Sequence, residues 1–376
     1  MGITRLANVT GLDYLKVPVF MAIRPGSRSL SVAQGKGLDV GAAKVSAFME
    51  AAETFHAEQA TPTIARARMR DLDAGAEVID WARLPKLRSR RFTPAREIAW
   101  SKAETLDAGE PLWVPFEMVH TDYRTPVAPY FPLASNGLAS GNHRLEAICA
   151  ALLELIERDA TTLWRQRSST ERASKRIDLE TVDHEACREL IDRLRARGIA
   201  VSVWDVTTDI GVAAFLCRIE EAADNPQPRL GGFYGSGCHL ARNVAFLRAV
   251  TEAVQTRLTY IAGSRDDLRR RDYSESAGEA ILSIVLPAWE RGFSQRRYCD
   301  VPDVYMDSFD EDLEVLAARL RSAGIGKVAV VDLTRRDFEL PVVRVIAPGL
   351  EFIDDNPAYV PGERARRLIE EREWQS

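Results

Sequence analysis

Apolar residues recur at helical spacing in three long segments of the chain, residues 39–60, 144–165 and 241–261. This spacing predicts three amphipathic helices, because side chains three and four positions apart share one helix face. In the first segment Asp39 is a suitable N-cap, and alanine, valine and phenylalanine side chains supply the apolar face. The second segment gives the clearest helical pattern in the chain.

Short apolar runs rich in β-branched residues predict strands between and after these helices. They cover residues 199–204, 211–219, 328–332 and 342–346. Two further amphipathic segments, 183–197 and 311–323, each precede one of these runs and predict helix-to-strand steps. Helices and strands alternate without an internal repeat, which predicts an α+β (mixed α/β) fold with helices packed on mixed β-sheets.

Composition places ordinary limits on the chain. With 376 residues, 28% of them charged, it resembles a globular protein that can bury a large core. No linker divides it, so we expect a single domain over residues 1–376, with residues 350–376 as a C-terminal tail. The net charge of -5 gives no reason to expect nucleic-acid binding.

Cysteine spacing and hydropathy predict the cellular location of the protein. Its five cysteines are scattered and form no CxxC pair, so neither a zinc site nor a disulfide framework is indicated. The amino terminus lacks the apolar core of a signal peptide, and no run is long enough to cross a bilayer. We therefore expect a cytoplasmic protein with reduced thiols and no membrane contact.

One stretch of the chain is strongly basic, although the net charge of the whole chain is negative. Residues 83–96 contain five arginines and a lysine and no acidic residue. The ordinary interpretation is a solvated loop, and the functional alternative is a docking face for an acidic peptide or partner.

The three long helices carry carboxylates inside apolar runs, and this is the main chemical signal in the sequence. A buried glutamate is costly to keep ionised unless positive charge lies beside it, so the pattern implies a cation cluster or a buried charge network. These carboxylates outnumber the arginines in the same segments. They are Glu50 and Glu53 in the first helix, Glu146, Glu154, Glu157 and Asp159 in the second, and Glu252 in the third.

Glycine-rich segments precede each of these helices, at residues 34–37, 135–142 and 231–239. We interpret them as loops that run into helix amino termini, where free N–H groups and the helix dipole favour an anion such as phosphate. Each is a weak signal alone, since none is a Walker loop. Together with the acidic helices they favour a nucleotide whose phosphates are bridged to glutamates by Mg²⁺.

These motifs together resemble those of the YcaO-domain family, over nearly the whole chain. The resemblance lies within residues 34–60, 134–160 and 231–268, with a further match at residues 341–351. It implies a YcaO-type fold around a central ATP and Mg²⁺ site. The matching positions are Lys36, Ser46, Glu50 and Glu53; Ser135, Asn142, Glu146, Glu154, Glu157, Arg158 and Asp159; and Glu252, Gln255 and Arg257. Thr54 departs from the arginine that is usual in the first motif.

The resemblance implies an enzyme that uses ATP to activate a peptide backbone amide. A nucleophile attacks the amide carbon, the oxyanion takes the γ-phosphoryl group, and phosphate leaves with the original oxygen. The implied metal ligands are Glu50, Glu53, Glu154 and Glu157. The implied nucleotide-binding residues are Lys36, Ser46, Ser135, Asn142, Glu146, Arg158, Glu252, Gln255 and Arg257. Arg158 and Arg257 would contact phosphates, and no catalytic residue is assigned.

The nucleophile decides the product: a substrate side chain of Cys, Ser or Thr gives an azoline, and external sulfide gives a thioamide. Azoline-forming members of the family often end in a proline-alternating tail, whereas this chain ends in a segment that predicts a short charged helix. It also has no added amino-terminal region for a leader peptide. Both features favour the members that make thioamides with a TfuA partner on a precursor peptide or protein. The family also implies a homodimer.

Other interpretations stay open at this stage. Glu53 and His56 match the Glu-x-x-His element of di-iron bundles, although the second copy lacks its histidine, so a structural role for His56 is favoured. A scaffold that binds Mg-ATP and presents a peptide without catalysis is a further alternative. His143, His239 and the pair Asp266 and Asp267 are candidates either for capping and packing or for the site.

Overall fold

A computed structural model describes residues 1–73, 77–124, 129–227, 229–266, 296–352 and 358–375. Its helices are α1 Val40–Glu58, α2 Arg144–Gln166, α3 Ser169–Ser174, α4 Glu185–Arg195, α5 Arg242–Ala262, α6 Phe309–Ser322 and α7 Glu363–Gln375. Its strands are β1 Arg5–Asn8, β2 Val19–Ile23, β3 Val32–Lys36, β4 Ile64–Ala67, β5 Glu77–Val78, β6 Lys86–Leu87, β7 Ile98–Thr105, β8 Pro111–Pro115, β9 Leu138–Ser140, β10 Ile177–Asp178, β11 Ile199–Asp205, β12 Ala213–Glu221, β13 Phe233–His239, β14 Arg296–Arg297, β15 Ala329–Asp332, β16 Val342–Ile346 and β17 Tyr359–Val360.

The three long helices lie where the apolar periodicity predicts them, within about two residues at each end. Asp39 caps α1, because its side chain accepts a 2.8 Å hydrogen bond from the backbone N–H of Ala42. Helices α4 and α6 confirm the two shorter amphipathic segments, and α7 confirms the charged C-terminal helix. Residues 353–357 and 376 of the tail lie outside the described part.

The strands form mixed sheets, as the alternation of elements predicts. The largest has the order β5-β8-β7-β15-β16-β9, with β4 paired to β7. In it β5 and β8 run parallel and the other pairs antiparallel. Two three-stranded antiparallel sheets, β1-β2-β3 and β11-β12-β13, supply the strands that precede α1 and α5. The predicted mixed α/β class is therefore confirmed.

Two of the three glycine-rich segments are strands rather than loops, so that part of the sequence interpretation is wrong. Residues 34–36 belong to β3, and residues 233–239 form β13. A Cβ atom added to Gly35 would lie 2.0 Å from the backbone nitrogen of Ala47 in α1. One added to Gly237 would lie 2.2 Å from the carbonyl oxygen of Ala245 in α5. The glycines let each helix lie directly on the preceding strand.

Helix α2 occupies the centre of one hydrophobic core, where it packs on β9 and β16 and against α6 and α7. Its Asp159 is fully buried and holds the C-terminal helix through Arg364, with Nε–Oδ1 at 2.9 Å. Asp159 also accepts the backbone N–H of Glu351 at 2.9 Å. A buried aspartate with these partners is anchored on both sides, so it joins the second motif helix to the tail.

All five cysteines are free, and four of them are buried. Across the described ranges, no helix combines the length and apolar character that a membrane crossing requires.

Candidate active site

Three strand–helix pairs, β3–α1, β9–α2 and β13–α5, bring the motif carboxylates to one region. In the first pair, Glu50 of α1 accepts a 3.2 Å hydrogen bond from the backbone N–H of Gln34 in β3. Lys36, two residues along β3, forms an ion pair with Glu252 of α5. Because Lys36 and Glu252 lie more than two hundred residues apart in sequence, this contact joins the first motif to the third.

The second contact joins the first motif to the second. Glu53 of α1 accepts two hydrogen bonds from Ser140 at the end of β9, 2.9 Å from the backbone N–H and 2.6 Å from the hydroxyl. One carboxylate oxygen takes both bonds. The other oxygen of Glu53 carries no hydrogen bond from Ser140, so it stays a candidate ligand for a cation.

The third contact joins the second motif to the third. The hydroxyl of Ser236 in β13 donates to Glu157 of α2 at 2.7 Å and lies 3.2 Å from a carboxylate oxygen of Glu252. Glu157 is 3% exposed, and Arg248 approaches its second oxygen at 4.0 Å. A buried carboxylate with so distant a cation is only weakly compensated, which is the state expected of a carboxylate that binds a metal.

Glu154 lies one turn before Arg158 on α2. It accepts a 3.0 Å hydrogen bond from the backbone N–H of Gly137, and Arg158 lies 3.6 Å from its other oxygen. Gly137 has a positive φ of 75°, which glycine adopts without strain, and this conformation places its N–H beside Glu154. This glycine-rich segment therefore contacts the acidic helix at Glu154, well inside the helix.

The four carboxylates Glu50, Glu53, Glu154 and Glu157 lie close enough to repel one another. Burial, together with the charges of Glu50 and Glu154, raises the pKa of Glu53 to about 8. Although Glu50 is exposed, desolvation by the protein packed around it raises its pKa to about 7. Burial also raises the pKa of Glu154, with a smaller contribution from Glu157. The nearby positive charge therefore does not balance these carboxylates, and a divalent cation would stabilise them.

Glu252 differs from these four. Burial by itself would raise its pKa, but the ammonium of Lys36 and the guanidinium of Arg158 overcome that effect and hold the pKa well below its usual range. Glu252 therefore stays ionised and fixes Lys36 at the edge of the carboxylate cluster.

The cluster is not a complete metal cage. Within the ranges that the structure covers, no three His, Cys, Asp or Glu side chains converge closely enough to hold one ion. Mg²⁺ usually binds through one or two carboxylates, with water and substrate phosphates filling its other positions. The residues present therefore fit Mg²⁺ bound together with a nucleotide better than a metal held by protein alone, and they do not support the di-iron alternative.

The remaining candidate nucleotide residues lie in different settings. Arg257 is 1% exposed, and its guanidinium binds Asp13 at 2.9 Å and Glu221 at 2.5 Å. This buried ion triad favours a structural role over a phosphate contact. Gln255 lies half-buried on the same helix. Ser46 lies one turn before Glu50 on α1.

At the start of α2, the predicted residues serve mainly to shape the loop. Asn142 donates to Glu146 from its backbone N–H at 2.8 Å and from its side chain at 3.2 Å. Ser135 is exposed, and its carbonyl accepts the N–H of Leu138. Glu146 and Asn142 thus close the loop on the helix terminus, where the side-chain nitrogen of His143 accepts the N–H of Leu145 at 3.3 Å.

The histidines and the other side chains that the sequence leaves open between a structural and a site role have local partners. His56 is buried and its Nδ1 bonds the carbonyl of Leu333 at 2.9 Å, as a structural histidine does. His239 accepts the N–H of Ala241 at 3.0 Å. The hydroxyl of Thr54 donates to carbonyls of its own helix. Asp266 binds Ser31 at 2.7 Å, and Asp267, with residue 268, lies outside the described residues.

Sequence reasoning did not identify Ser140 or Ser236, although both lie in the segments it selected. Each serine lies inside a glycine-rich stretch that precedes a motif helix. The available signal was alternation along a strand: Gly235 and Gly237 face α5, so Ser236 between them points to the opposite side. That signal requires the segment to be recognised as a strand.

Comparison with known proteins gives one matching family. The family model described as YcaO cyclodehydratase, ATP- and Mg²⁺-binding, matches residues 34–351. A protein of Rhizobium leguminosarum bv. trifolii, named for its place in the tfuA 3′ region, is 36% identical over 380 residues, which cover 98% of this chain and 88% of that protein. A protein of Methanothermobacter thermautotrophicus is 35% identical over 378 residues, with 98% and 94% covered.

Solved structures share the fold. A heterocyclase in complex with substrate and cofactor has a TM-score of 0.76 at 23% identity, covering 96% of this chain and 51% of that one. The present chain therefore spans about half the length of that heterocyclase. YcaO from Methanopyrus kandleri, bound with AMPPCP and Mg²⁺, has a TM-score of 0.71 at 23% identity, with 96% and 90% covered. The YcaO-type fold is confirmed, and the family description confirms ATP and Mg²⁺ as the cofactors.

Proposed function

The chain belongs to the YcaO family of ATP-dependent peptide-modifying enzymes, and we propose that it converts a backbone amide of a peptide or protein into a thioamide with a TfuA-type partner. The observation that carries the ATP-dependent step is that Glu50, Glu53, Glu154 and Glu157 lie in one region beside Lys36 and Arg158. Three of these carboxylates have raised pKa values, and the charge of the fourth, Glu157, is only weakly compensated. Together with the two cations they suit a Mg²⁺-bound polyphosphate.

The proposed reaction balances with hydrosulfide as nucleophile. Sulfur adds to the amide carbon, the amide oxygen takes the γ-phosphoryl group of ATP, and phosphate then departs with that oxygen and the proton of hydrosulfide, leaving C=S and ADP. ATP supplies the phosphoryl group, and Mg²⁺ offsets its negative charge. This step makes a poor leaving group into a good one.

Different residues of the chain would bind the metal and the phosphates. Glu53 and Glu154 each use one oxygen for a backbone N–H and so stay oriented. The second oxygen of Glu53 is available to metal, and that of Glu154 lies 3.6 Å from Arg158. Lys36 and Arg158 supply positive charge for phosphate oxygens. Ser140 and Ser236 hold Glu53 and Glu157 in one rotamer, which reduces the entropy lost when the metal binds.

One observation supports a thioamide product. The relative from Rhizobium is named for its place beside tfuA and is 36% identical to this chain. Azoline formation is the second candidate, since the family description is that of a cyclodehydratase. The homodimer implied by the family also stays a prediction.

Titration with a non-hydrolysable ATP analogue, with and without Mg²⁺, tests the site directly. We expect Mg²⁺-dependent binding, and we expect Glu53→Gln or Glu157→Gln to weaken it by at least about tenfold while the fold is retained. Glu189→Gln, an exposed glutamate on α4, is the matched control and should bind as the wild type does. Normal Mg-nucleotide binding by both site variants would show that the site assignment is wrong.

Turnover separates the enzyme from a scaffold. ATP hydrolysis that increases when a substrate peptide and sulfide are added, with exchange of one oxygen for sulfur in the peptide mass, supports the proposal. Loss of water from the peptide instead would indicate an azoline. Nucleotide binding with no peptide-dependent turnover, in the presence of the TfuA-type partner, would favour the scaffold.

A further inference from the structure

Two basic segments that are separate in sequence form one surface in the structure. The backbone N–H of Met69 donates to the carbonyl of Pro94 at 3.3 Å, which places residues 66–70 beside residues 91–96. We define the basic patch by the five arginines that these segments carry: Arg66, Arg68, Arg70, Arg91 and Arg96. The sequence pattern indicated only the second segment, because the first is interrupted by apolar residues.

Positive charge in the basic patch exceeds its local compensation. Arg66 and Arg68 share a single carboxylate, Glu97, at 2.8 and 3.5 Å. Arg70, whose side chain is 72% exposed, pairs with Asp71 at 3.6 Å, and exposed pairs of this kind contribute little stability.

Two arginines of the basic patch have no carboxylate partner among the described residues. Arg91 and Arg96 are exposed, and neither forms an ion pair within the part of the chain that the structure describes. Five cations beside two carboxylates repel one another. The patch is therefore a local excess of positive charge on a chain whose net charge is -5.

The loop that carries the patch is held on an aromatic base. Phe92 is buried, and its ring lies 5.3 Å from that of Phe131 and 6.3 Å from that of Trp100. The guanidinium of Arg90 stacks over Tyr130 at 4.1 Å from the ring centre. A surface anchored in this way keeps its arginines in place before a ligand arrives, which lowers the entropic cost of binding.

The basic patch lies within reach of the carboxylate cluster. It includes Arg66 of β4 and flanks the start of β7, and β7 is separated from β9, where Ser140 binds Glu53, by β15 and β16. Three strand spacings amount to about 14 Å across the sheet, and the length of β7 from Ile98 to Glu104, where β15 pairs, adds about 20 Å along the strand. An extended peptide advances about 3.3 Å per residue. A single substrate of under about ten residues can therefore touch both places.

We propose that the basic patch docks an acidic segment of the peptide substrate and so positions the modified amide at the carboxylate cluster. This inference rests on the proposed function, since it assigns a substrate feature to the same enzyme. A short acidic peptide matches a local patch of five arginines. A long nucleic acid would extend past the patch onto a protein of net negative charge, which disfavours that class of partner.

Fluorescence anisotropy tests the docking. The probe is a short fluorescein-labelled peptide of alternating glutamate and alanine, titrated with the full-length protein at low and at physiological salt. We expect the peptide to bind and its affinity to fall as the salt concentration rises. In the double variant Arg91→Glu/Arg96→Glu the affinity should fall by roughly tenfold. The matched control is Arg188→Glu/Arg193→Glu, which reverses two exposed arginines of α4 and changes the net charge equally.

Several outcomes would overturn the inference. These are equal loss of affinity in the control double variant, equal binding of the matched glutamine–alanine peptide, and tighter binding of a labelled oligothymidylate through the same two arginines. Mg-dependent binding of the ATP analogue is measured in the same variants and should not change. If the peptide binds as expected but the nucleotide does not bind at all, the proposed function fails and the docking surface stands.

Discussion

Ser236 donates a 2.7 Å hydrogen bond to Glu157 and thereby joins β13 to α2 inside the carboxylate cluster. The two residues are far apart in sequence, and each belongs to a different motif. The bond is buried, and it is the shortest link between the second and third motifs that we describe. It therefore sets where Glu157 can present its free oxygen.

Replacing this hydroxyl should uncouple Glu157 from the strand. We expect Ser236→Ala to lower the free energy of unfolding by about 1 to 3 kcal/mol, because a buried carboxylate loses a hydrogen bond. Mg-nucleotide affinity should fall less than in Glu157→Gln. Chemical unfolding and calorimetry measure the two effects. Ser236→Thr keeps the hydroxyl and should recover affinity; loss of affinity in both variants to the same extent would contradict a role for the hydrogen bond.

Gly237 should be needed for packing rather than for phosphate binding. A Cβ atom there would lie 2.2 Å from the carbonyl of Ala245, and backbone cannot move aside as a flexible side chain can. We expect Gly237→Ala to lower the free energy of unfolding by about 3 kcal/mol. Gly26→Ala, where a Cβ atom would meet open space, should stay within about 0.5 kcal/mol. Reduced nucleotide affinity without reduced stability would favour the phosphate interpretation instead.

Proton release should accompany metal binding. Glu50 and Glu53 have pKa values raised to about 7 and about 8, so near neutral pH they hold protons that a bound cation would displace. We expect about one proton to be released per Mg-nucleotide bound at pH 7. Calorimetry in buffers of different ionisation enthalpy measures this number. Glu53→Gln should reduce it, and no buffer dependence in the wild type would contradict the raised values.

The same shifts predict how the metal-free protein responds to pH. A carboxyl whose pKa is higher in the folded state than in the unfolded state favours folding fully below the unfolded value. That contribution is lost as pH rises through the folded value. For Glu53 the loss falls between its ordinary 4.5 and about 8. Unfolding followed by circular dichroism across this range should show stability decreasing less in Glu53→Gln than in the wild type.

Arg257 should prove structural. Removing its charge would leave Asp13 and Glu221 buried without compensation, so we expect Arg257→Met to lower the free energy of unfolding by about 3 to 5 kcal/mol. The triple variant Asp13→Asn/Glu221→Gln/Arg257→Met removes all three charges and should regain most of the stability. Urea unfolding measures both. A stable Arg257→Met protein that no longer binds Mg-nucleotide would instead support the phosphate contact that the family resemblance implies.

The sequence located helices more reliably than it located strands. Helices α1, α2 and α5 follow directly from apolar spacing, because helical periodicity depends only on neighbours within two turns. For the segments that form β3 and β13 the sequence predicts loops, because their glycines resemble turn signals. Those glycines are required by α1 and α5, which lie across them, and this contact is not visible in the strand's own sequence.

By itself, the sequence determined the mixed α/β class, the three carboxylate helices and, through its motifs, the family to which the chain belongs. Only the tertiary structure decided which charges meet. In the folded chain Lys36 forms an ion pair with Glu252, and Arg257 is buried with Asp13 and Glu221. Ser140 donates a hydrogen bond to Glu53, and Ser236 donates one to Glu157. The physical reason is that helix formation is governed by local spacing, whereas the state of a charged side chain depends on burial and on partners that folding brings from distant parts of the chain.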